Sequence, residues 1–285
     1  MRYEDKALVF ACDDDGLYGV ATVPEQPARR GVLVIVGGPQ YRAGSHRQFT
    51  LLARALAAQG IAAMRFDYRG MGDSSGDMRS FEDVAPDVRS AIDAFFAGVP
   101  ELEEVVLWGL CDGASAAALY AGSDARVSGM VLLNPWVRTD EGLARSTLKH
   151  YYRERIRSPA LWKKIASGRF DVRAAVRSLA DILARASRPR PGSGQDQDCS
   201  GSGRALPERM HGALSRFGGK VLVVLSSADL TAREFADTAA TPGWQALMES
   251  SRFTRHELAP ADHTFSRREW RDQVAAWTAD WLRSW

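Results

Sequence analysis

Three side chains in this sequence are of the types that carry nucleophilic catalysis, and they occur in a workable order: Cys111, then Asp229, then His263. In such a set the thiol attacks, the histidine takes and returns a proton, and the acid fixes the histidine's tautomer and orientation. The most telling stretch is Val105-Val106-Leu107-Trp108-Gly109-Leu110-Cys111-Asp112-Gly113-Ala114-Ser115. An apolar run passes through Gly-x-Cys-x-Gly into small residues, the pattern of a sharp strand-to-helix turn that lifts its central side chain above a sheet. The glycines leave room where a Cβ would clash. The helix that follows, predicted over Ala116 to Tyr120, aims its N-terminal N–H groups at the same spot and favours a thiolate and a developing oxyanion. Read without chemistry, Cys111 is a buried cysteine in a connection whose glycines serve packing alone.

The other two members have their own alternatives. The predicted strand Val221 to Leu225 runs into Ser226-Ser227-Ala228-Asp229, which sets a carboxylate at the carboxyl edge of a sheet, where open α/β sheets bind ligands. Asp229 also suits the N-cap of a helix starting near Leu230. His263 lies in Ala261-Asp262-His263-Thr264-Phe265, after the last predicted strand. It is the one histidine with the required loop and chain order; His46, His150, His211 and His256 are the others, and Asp262 is a rival acid. An oxyanion hole needs two N–H donors. The N–H after the nucleophile belongs to Asp112, and the second is expected from the loop after the strand ending in Gly37-Gly38-Pro39. Pro39 has no N–H, which leaves Gly38, with Gln40 in reserve; Gly37-Gly38 read blandly is a tight turn. An inward-pointing Asp112 opposes thiol ionisation. Otherwise it faces a cation, for which Arg69 and Arg42 are available.

These residues need a scaffold. Ala7 to Ala11 and Leu17 to Val23 flank Asp13-Asp14-Asp15-Gly16 and read as an antiparallel hairpin. Buried-type strands follow at Val32 to Val36, Ile61 to Phe66, the run before Cys111, and Gly129 to Leu133, with helices expected at about Arg47 to Gln59 and Phe81 to Ala97. Strands alternating with helices mean an α/β fold with a mostly parallel sheet covered on both faces. The strand rhythm then stops after Asn134-Pro135-Trp136 and resumes at Lys220. The interval carries helical segments at about Glu141 to Arg157, Pro159 to Ser167 and Val172 to Ala186, then a Pro/Gly/Ser-rich run from Ser187 to Gly203. It reads as an inserted helical lid, residues 138–215, on a core formed by 1–137 and 216–285. A last strand, Phe253 to Leu258, and a closing helix with Trp270, Trp277 and Trp281 complete the chain.

Length and composition set limits. At 285 residues, 45% of them apolar, the chain can bury a full core. Three scattered cysteines, Cys12, Cys111 and Cys199, suit neither a disulfide framework nor a metal cluster. No metal and no cofactor are expected. The first residues lack the apolar core of a signal peptide, and the one long apolar stretch, Val105 to Gly122, is interrupted by Asp112 and glycines, so the expectation is a cytoplasmic protein without a transmembrane segment. The net charge of +2 hides an asymmetry: Arg138 to Arg190 holds fourteen Lys/Arg against five Asp/Glu. No nucleic-acid motif accompanies it, and solvated helix faces are its default explanation. A docking face for an acidic carrier or a polyanionic glycan is the sharper one.

Four blocks go beyond generic motifs: Val36-Gly37-Gly38-Pro39-Gln40-Tyr41-Arg42-Ala43-Gly44-Ser45-His46-Arg47-Gln48-Phe49; Arg65-Phe66-Asp67-Tyr68-Arg69-Gly70-Met71-Gly72-Asp73-Ser74; Trp108-Gly109-Leu110-Cys111-Asp112; and Leu133-Asn134-Pro135-Trp136-Val137-Arg138-Thr139. Together they resemble the exosortase A system-associated hydrolases of the first type, over nearly the whole chain. Val36 stands where the His-Gly-Gly-Pro version of the oxyanion loop has its histidine. The resemblance implies an α/β-hydrolase fold and an association with bacterial exopolysaccharide gene clusters. Tyr41, Arg42, Arg69 and Trp136, from these blocks, are the candidate substrate-binding residues. A histidine-activated cysteine suits acyl transfer through a thioester intermediate, with esters, lactones and thioesters easier targets than amides. The expected activity is hydrolysis or transfer of an acyl group from a small, free or carrier-bound ester or thioester. The competing expectation is a catalytically silent scaffold that binds a ligand or partner in the same system.

Overall fold

The computed structural model describes residues 1–38, 40–137 and 204–285. The chain divides into two units, Met1–Val137 with Ala205–Trp285, and Arg138–Arg204; the fold below is that of the first. The three expected lid helices, the Ser187 to Gly203 run and the basic segment up to Arg190 lie outside the described residues.

Eight strands form one sheet: β1 (Tyr3–Cys12), β2 (Asp15–Pro24), β3 (Arg30–Ile35), β4 (Ala63–Phe66), β5 (Glu104–Leu110), β6 (Val127–Leu133), β7 (Lys220–Ser226) and β8 (Phe253–Leu258). Their spatial order is β1-β2-β4-β3-β5-β6-β7-β8. β1 and β2 are the expected hairpin, and β2 joins β4 antiparallel; every later pairing is parallel. The hairpin strands are longer than their apolar runs predict. At the sheet's edge β1 has little to bury, so Glu4, Asp5 and Lys6 continue it with their side chains in solvent.

The interior strands β3, β4 and β5 are buried nearly throughout, as continuous Val/Leu/Ile runs between two layers of helices require. The helices are α1 (Gln48–Ala57), α2 (Ala85–Gly98), α3 (Asp112–Tyr120), α4 (Leu206–Arg216), α5 (Leu230–Ala239), α6 (Pro242–Met248) and α7 (Arg268–Arg283). α2 begins four residues later than its apolar spacing suggests. Pro86 has no N–H and fits only the first helical turn, which fixes the start at Ala85. α4 buries Met210 and Leu214 and belongs to this unit, although its sequence reads as the end of the insertion. Among the described residues no helix is long and apolar enough to cross a membrane.

The parallel register positions the site. Ile35 lies beside Gly109, Leu110 beside Leu133, and Leu133 beside Val224. β3, β5, β6 and β7 therefore end level, and the residues just beyond them, Gly37-Gly38, Cys111, Asn134 and Asp229, come to one edge.

Candidate active site

β5 ends at Leu110 and α3 begins at Asp112, so Cys111 alone makes the turn, at φ 59° and ψ −125°. A residue with a Cβ in this region carries strain of about 1–3 kcal/mol, which persists only where neighbours enforce it. Here they do. The Cys111 N–H donates to the Leu133 carbonyl at 2.9 Å, and the Cys111 carbonyl accepts from Ala114, Ser115 and Trp136 N–H at 3.0, 3.3 and 3.2 Å. Ser115 Oγ in turn donates to the Trp136 carbonyl at 2.6 Å. The flanking glycines let α3 cross β5 at close range: a Cβ on Gly109 would overlap the Gly113 carbonyl, and one on Gly113 would sit 2.5 Å from the Ile35 oxygen. Cys111 itself is half-buried.

His263 Nδ1 donates to Asp229 Oδ2 at 2.9 Å, and the ring also hydrogen-bonds the Cys111 side chain. The hydrogen bond to Asp229, followed by that to Cys111, outweighs desolvation and lifts the imidazole from 6.5 to about 10. Burial pushes the Asp229 carboxyl up, but hydrogen bonds from His263 and the Ala232 and Thr231 N–H groups leave it below the ordinary range. The cap and the acid are not alternatives. Asp229 Oδ2 receives both His263 Nδ1 and the Ala232 N–H at 2.9 Å, so one carboxylate caps α5 and holds the imidazole. Asp262 turns away, with its carboxylate on the Ser266 N–H and hydroxyl.

The loop after β3 and the start of α3 meet at the Asp112 carboxylate. Gly38 N–H donates to Asp112 Oδ2 at 2.9 Å, and Gly113 N–H to Asp112 Oδ1 at 3.1 Å. Burial raises the Asp112 pKa, and the backbone donors, with the His263 charge, pull the other way without reversing the shift. Gln40 does not serve as the reserve donor: its N–H is turned onto the Gly38 carbonyl at 2.8 Å. Nor does Asp112 face Arg69 or Arg42.

Those two arginines have other partners. Arg69 is buried, with Nε and Nη2 on Asp87 at 3.2 and 2.9 Å and Nη1 on Asp13 at 2.7 Å. Arg42 pairs with the buried Asp67 and, at 2.5 Å, with Asp73. Both guanidiniums are committed to organising loops, which runs against their expected contact with substrate. Trp136 contributes through its backbone, as the brace on the elbow, and the Tyr41 side chain is exposed.

Asn134 was visible in the sequence only as part of a motif, and it does more. It is fully buried, with its Nδ2 on Ser226 Oγ at 3.0 Å and on the His263 carbonyl at 2.9 Å, and its Oδ1 accepts the Ser226 N–H at 2.9 Å. It thus ties the ends of β6 and β7 to the loop that carries the histidine. Its φ of 42° is one that asparagine tolerates better than most residues, and an Asn-Pro after a buried strand is the signal that could have marked it. Among the described residues, no three His, Cys, Asp or Glu side chains are grouped as metal ligands.

With this geometry established, comparison with known proteins is informative. The esterase Pf2001 of Pyrococcus furiosus aligns at TM-score 0.66 and 13% identity, covering 99% of this chain and 92% of that one. Est1E of Butyrivibrio proteoclasticus, solved with ferulic acid, aligns at 0.63 and 14%, covering 97% and 98%. Dienelactone hydrolase of Anabaena variabilis aligns at 0.60 and 14%, covering 99% and 98%. At such identities the likeness is one of fold. Among curated proteins none matches the sequence. Residues 27–205, a span that includes the oxyanion loop and the elbow, match the family described as serine aminopeptidase, S33 (Hydrolase_4), and the chain belongs to that family of α/β-hydrolases.

Proposed function

We propose that this protein is a cysteine-dependent hydrolase of acyl esters or thioesters, with Cys111 as nucleophile, His263 as proton carrier and Asp229 as the acid that orients it. The observation that carries the reading is His263 joined at once to Asp229 and to the Cys111 side chain. In the first step the Cys111 proton passes to His263 and the sulfur bonds to the substrate's carbonyl carbon, giving a tetrahedral oxyanion. The carbon–leaving-group bond then breaks, and His263 protonates the departing alcohol or thiol. Water attacks the resulting thioester with His263 as base, releasing the acid and restoring the thiol; an alcohol or thiol acceptor in place of water gives acyl transfer. Asp229 raises the basicity of the imidazole, so the neutral ring takes the thiol proton readily and leaves a thiolate–imidazolium pair. Among the fold's neighbours, an esterase and a dienelactone hydrolase favour ester and lactone substrates. The association with exopolysaccharide systems rests on the four sequence blocks alone.

The test is an acyl-enzyme trap. Short-chain p-nitrophenyl esters and acyl thioesters are turned over while intact-mass spectrometry follows the protein. The expected result is one acyl group on Cys111, absent in Cys111→Ala and His263→Ala, with turnover reduced by several powers of ten and an unchanged fold. Cys111→Ser retains some ester activity. Undiminished hydrolysis by Cys111→Ala would place the chemistry elsewhere.

A second reading, the silent scaffold, is favoured by one observation: the Asp112 carboxylate lies on the Gly38 amide, which an oxyanion needs. An inert site neither acylates nor turns over, which the same trap detects.

A further inference from the structure

Of the two amides expected to receive an oxyanion, those of Gly38 and Asp112, the Gly38 N–H donates to the Asp112 carboxylate at 2.9 Å. A plain helix-capping role explains part of this, since a carboxylate in the first turn of α3 naturally accepts the Gly113 N–H. It does not explain why Oδ2 leaves the helix to reach an amide 74 residues away in the loop after β3. Nor does it explain the shape of that loop. A Cβ on Gly37 would overlap Asp112 Oδ1, so the loop is built around the carboxylate. Gly38 has φ 61°, a backbone conformation that favours glycine, and its N–H points at Asp112 Oδ2. A carboxylate is also the nearest side-chain likeness of what a hydrolase stabilises there, an oxygen bearing negative charge on a trigonal or tetrahedral carbon.

We propose that the Asp112 carboxylate is a built-in occupant of the oxyanion hole, which the substrate's carbonyl oxygen must displace from the Gly38 N–H before Cys111 can be acylated. Asp112 is on this account a determinant of reactivity for the cysteine hydrolase read above, and the inference rests on that reading. It also reconciles the complete nucleophile, base and acid with a donor that is engaged in the resting protein: the site is competent but closed from within. Displacement forfeits a charge-assisted hydrogen bond, so the resting carboxylate holds back binding of a carbonyl adduct by about 10- to 100-fold, the range set by one such bond. Burial, which already disfavours the Asp112 charge, keeps the hold from being stronger.

The experiment uses an alkyl trifluoromethyl ketone. Its carbonyl carbon bonds to the Cys111 sulfur, the C=O π pair becomes an oxyanion, and the thiol proton remains on His263; 19F NMR reads the hemithioketal directly. Asp112→Ala removes the occupant, and Asp112→Asn keeps an amide oxygen that still accepts from Gly38 but removes the charge. The expected order of adduct affinity is Asp112→Ala tightest by about 10- to 100-fold over the native protein, with Asp112→Asn in between, and kcat/KM on a short p-nitrophenyl ester following the same order. Should Asp112→Ala not fold, Asp112→Ser, too short to reach the Gly38 amide, takes its place. An alanine variant that binds the ketone no tighter than the native protein overturns the proposal. So does Asp112→Asn equal to Asp112→Ala, because charge beside the thiol, and not occupancy of the hole, would then be the cause. Absence of adduct in every variant, with turnover unaffected by Cys111→Ala, refutes the cysteine-hydrolase reading itself.

Discussion

Asp229 carries two tasks on one oxygen, and two substitutions separate them. Asparagine is as good an N-cap as aspartate, so Asp229→Asn keeps the hydrogen bond to the Ala232 N–H and loses the charge that faces His263; Asp229→Ala loses both. The cap is worth about 1 kcal/mol. The charge is worth more. His263 is raised from 6.5 to about 10, which corresponds to about 5 kcal/mol at most at 1.36 kcal/mol per decade. With 34% of the histidine side chain exposed, solvent screening brings the expectation to about 2 kcal/mol. The sign follows from the direction of the shift. A histidine whose folded pKa is raised stabilises the fold fully below pH 6.5, where both states are protonated, and the contribution fades as pH rises through about 10. Urea unfolding at pH 6, 8 and 10.5 should therefore show Asp229→Ala less stable than the native protein by about 3 kcal/mol at pH 6 and by about 1 kcal/mol, the cap alone, at pH 10.5. Asp229→Asn should lose about 2 kcal/mol at pH 6 and little at pH 10.5. Both should lower kcat by about four powers of ten, the scale of neutralising the acid in such a triad. A stability loss that is flat across this range, or that grows toward alkali, would refute the assignment of the imidazolium–carboxylate pair.

Two further outcomes follow from buried polar contacts. Asp87→Ala strands the Arg69 guanidinium, which is 5% exposed, and should destabilise by about 3–5 kcal/mol in urea unfolding; a loss under 1 kcal/mol would return Arg69 to the candidates for substrate contact. Asn134→Ala removes the link between β6, β7 and the His263 carbonyl and should cost about 2–4 kcal/mol as buried partners go unpaired. Because Asn134 acts through the histidine loop, kcat should fall by more than KM changes, and Asn134→Asp should restore part of the stability through the Ser226 N–H.

Much of the scaffold was legible because its signals are local. β8 matches its predicted bounds of Phe253 to Leu258, and β7 exceeds its apolar run by one residue at each end, since alternation of apolar runs with turn residues is what a parallel sheet demands of a chain. The chain order of Cys111, Asp229 and His263 was readable for the same reason: each follows a strand, and level strand ends bring them together. Roles that one side chain fills twice were not. Asp229 was weighed as cap or acid, although a carboxylate has room for both donors. Arg42 and Arg69 stood beside the site in sequence and were expected to meet substrate. What decided otherwise was Asp67, Asp73 and Asp87, which lie 18 to 31 residues from their arginines, a separation at which no local pattern announces a pair.

Asp112 shows the limit most sharply. In the sequence its N–H is a candidate oxyanion donor and its charge a difficulty beside a thiol, and its carboxylate is expected to face a cation or the sulfur. The rotamer is settled instead by donors: the Gly38 and Gly113 N–H groups converge on the carboxylate at 2.9 and 3.1 Å. A buried carboxylate without a cation satisfies itself on unpaired backbone amides, and here these include the Gly38 amide of the expected oxyanion hole. On the proposal above, an aspartate immediately after the elbow cysteine brings its own competitor for that hole. Any acidic residue at this position with a glycine opposite at Gly37 should do the same, which makes the Gly37 and Asp112 pair, rather than Cys111 alone, the feature that sets this site's resting state.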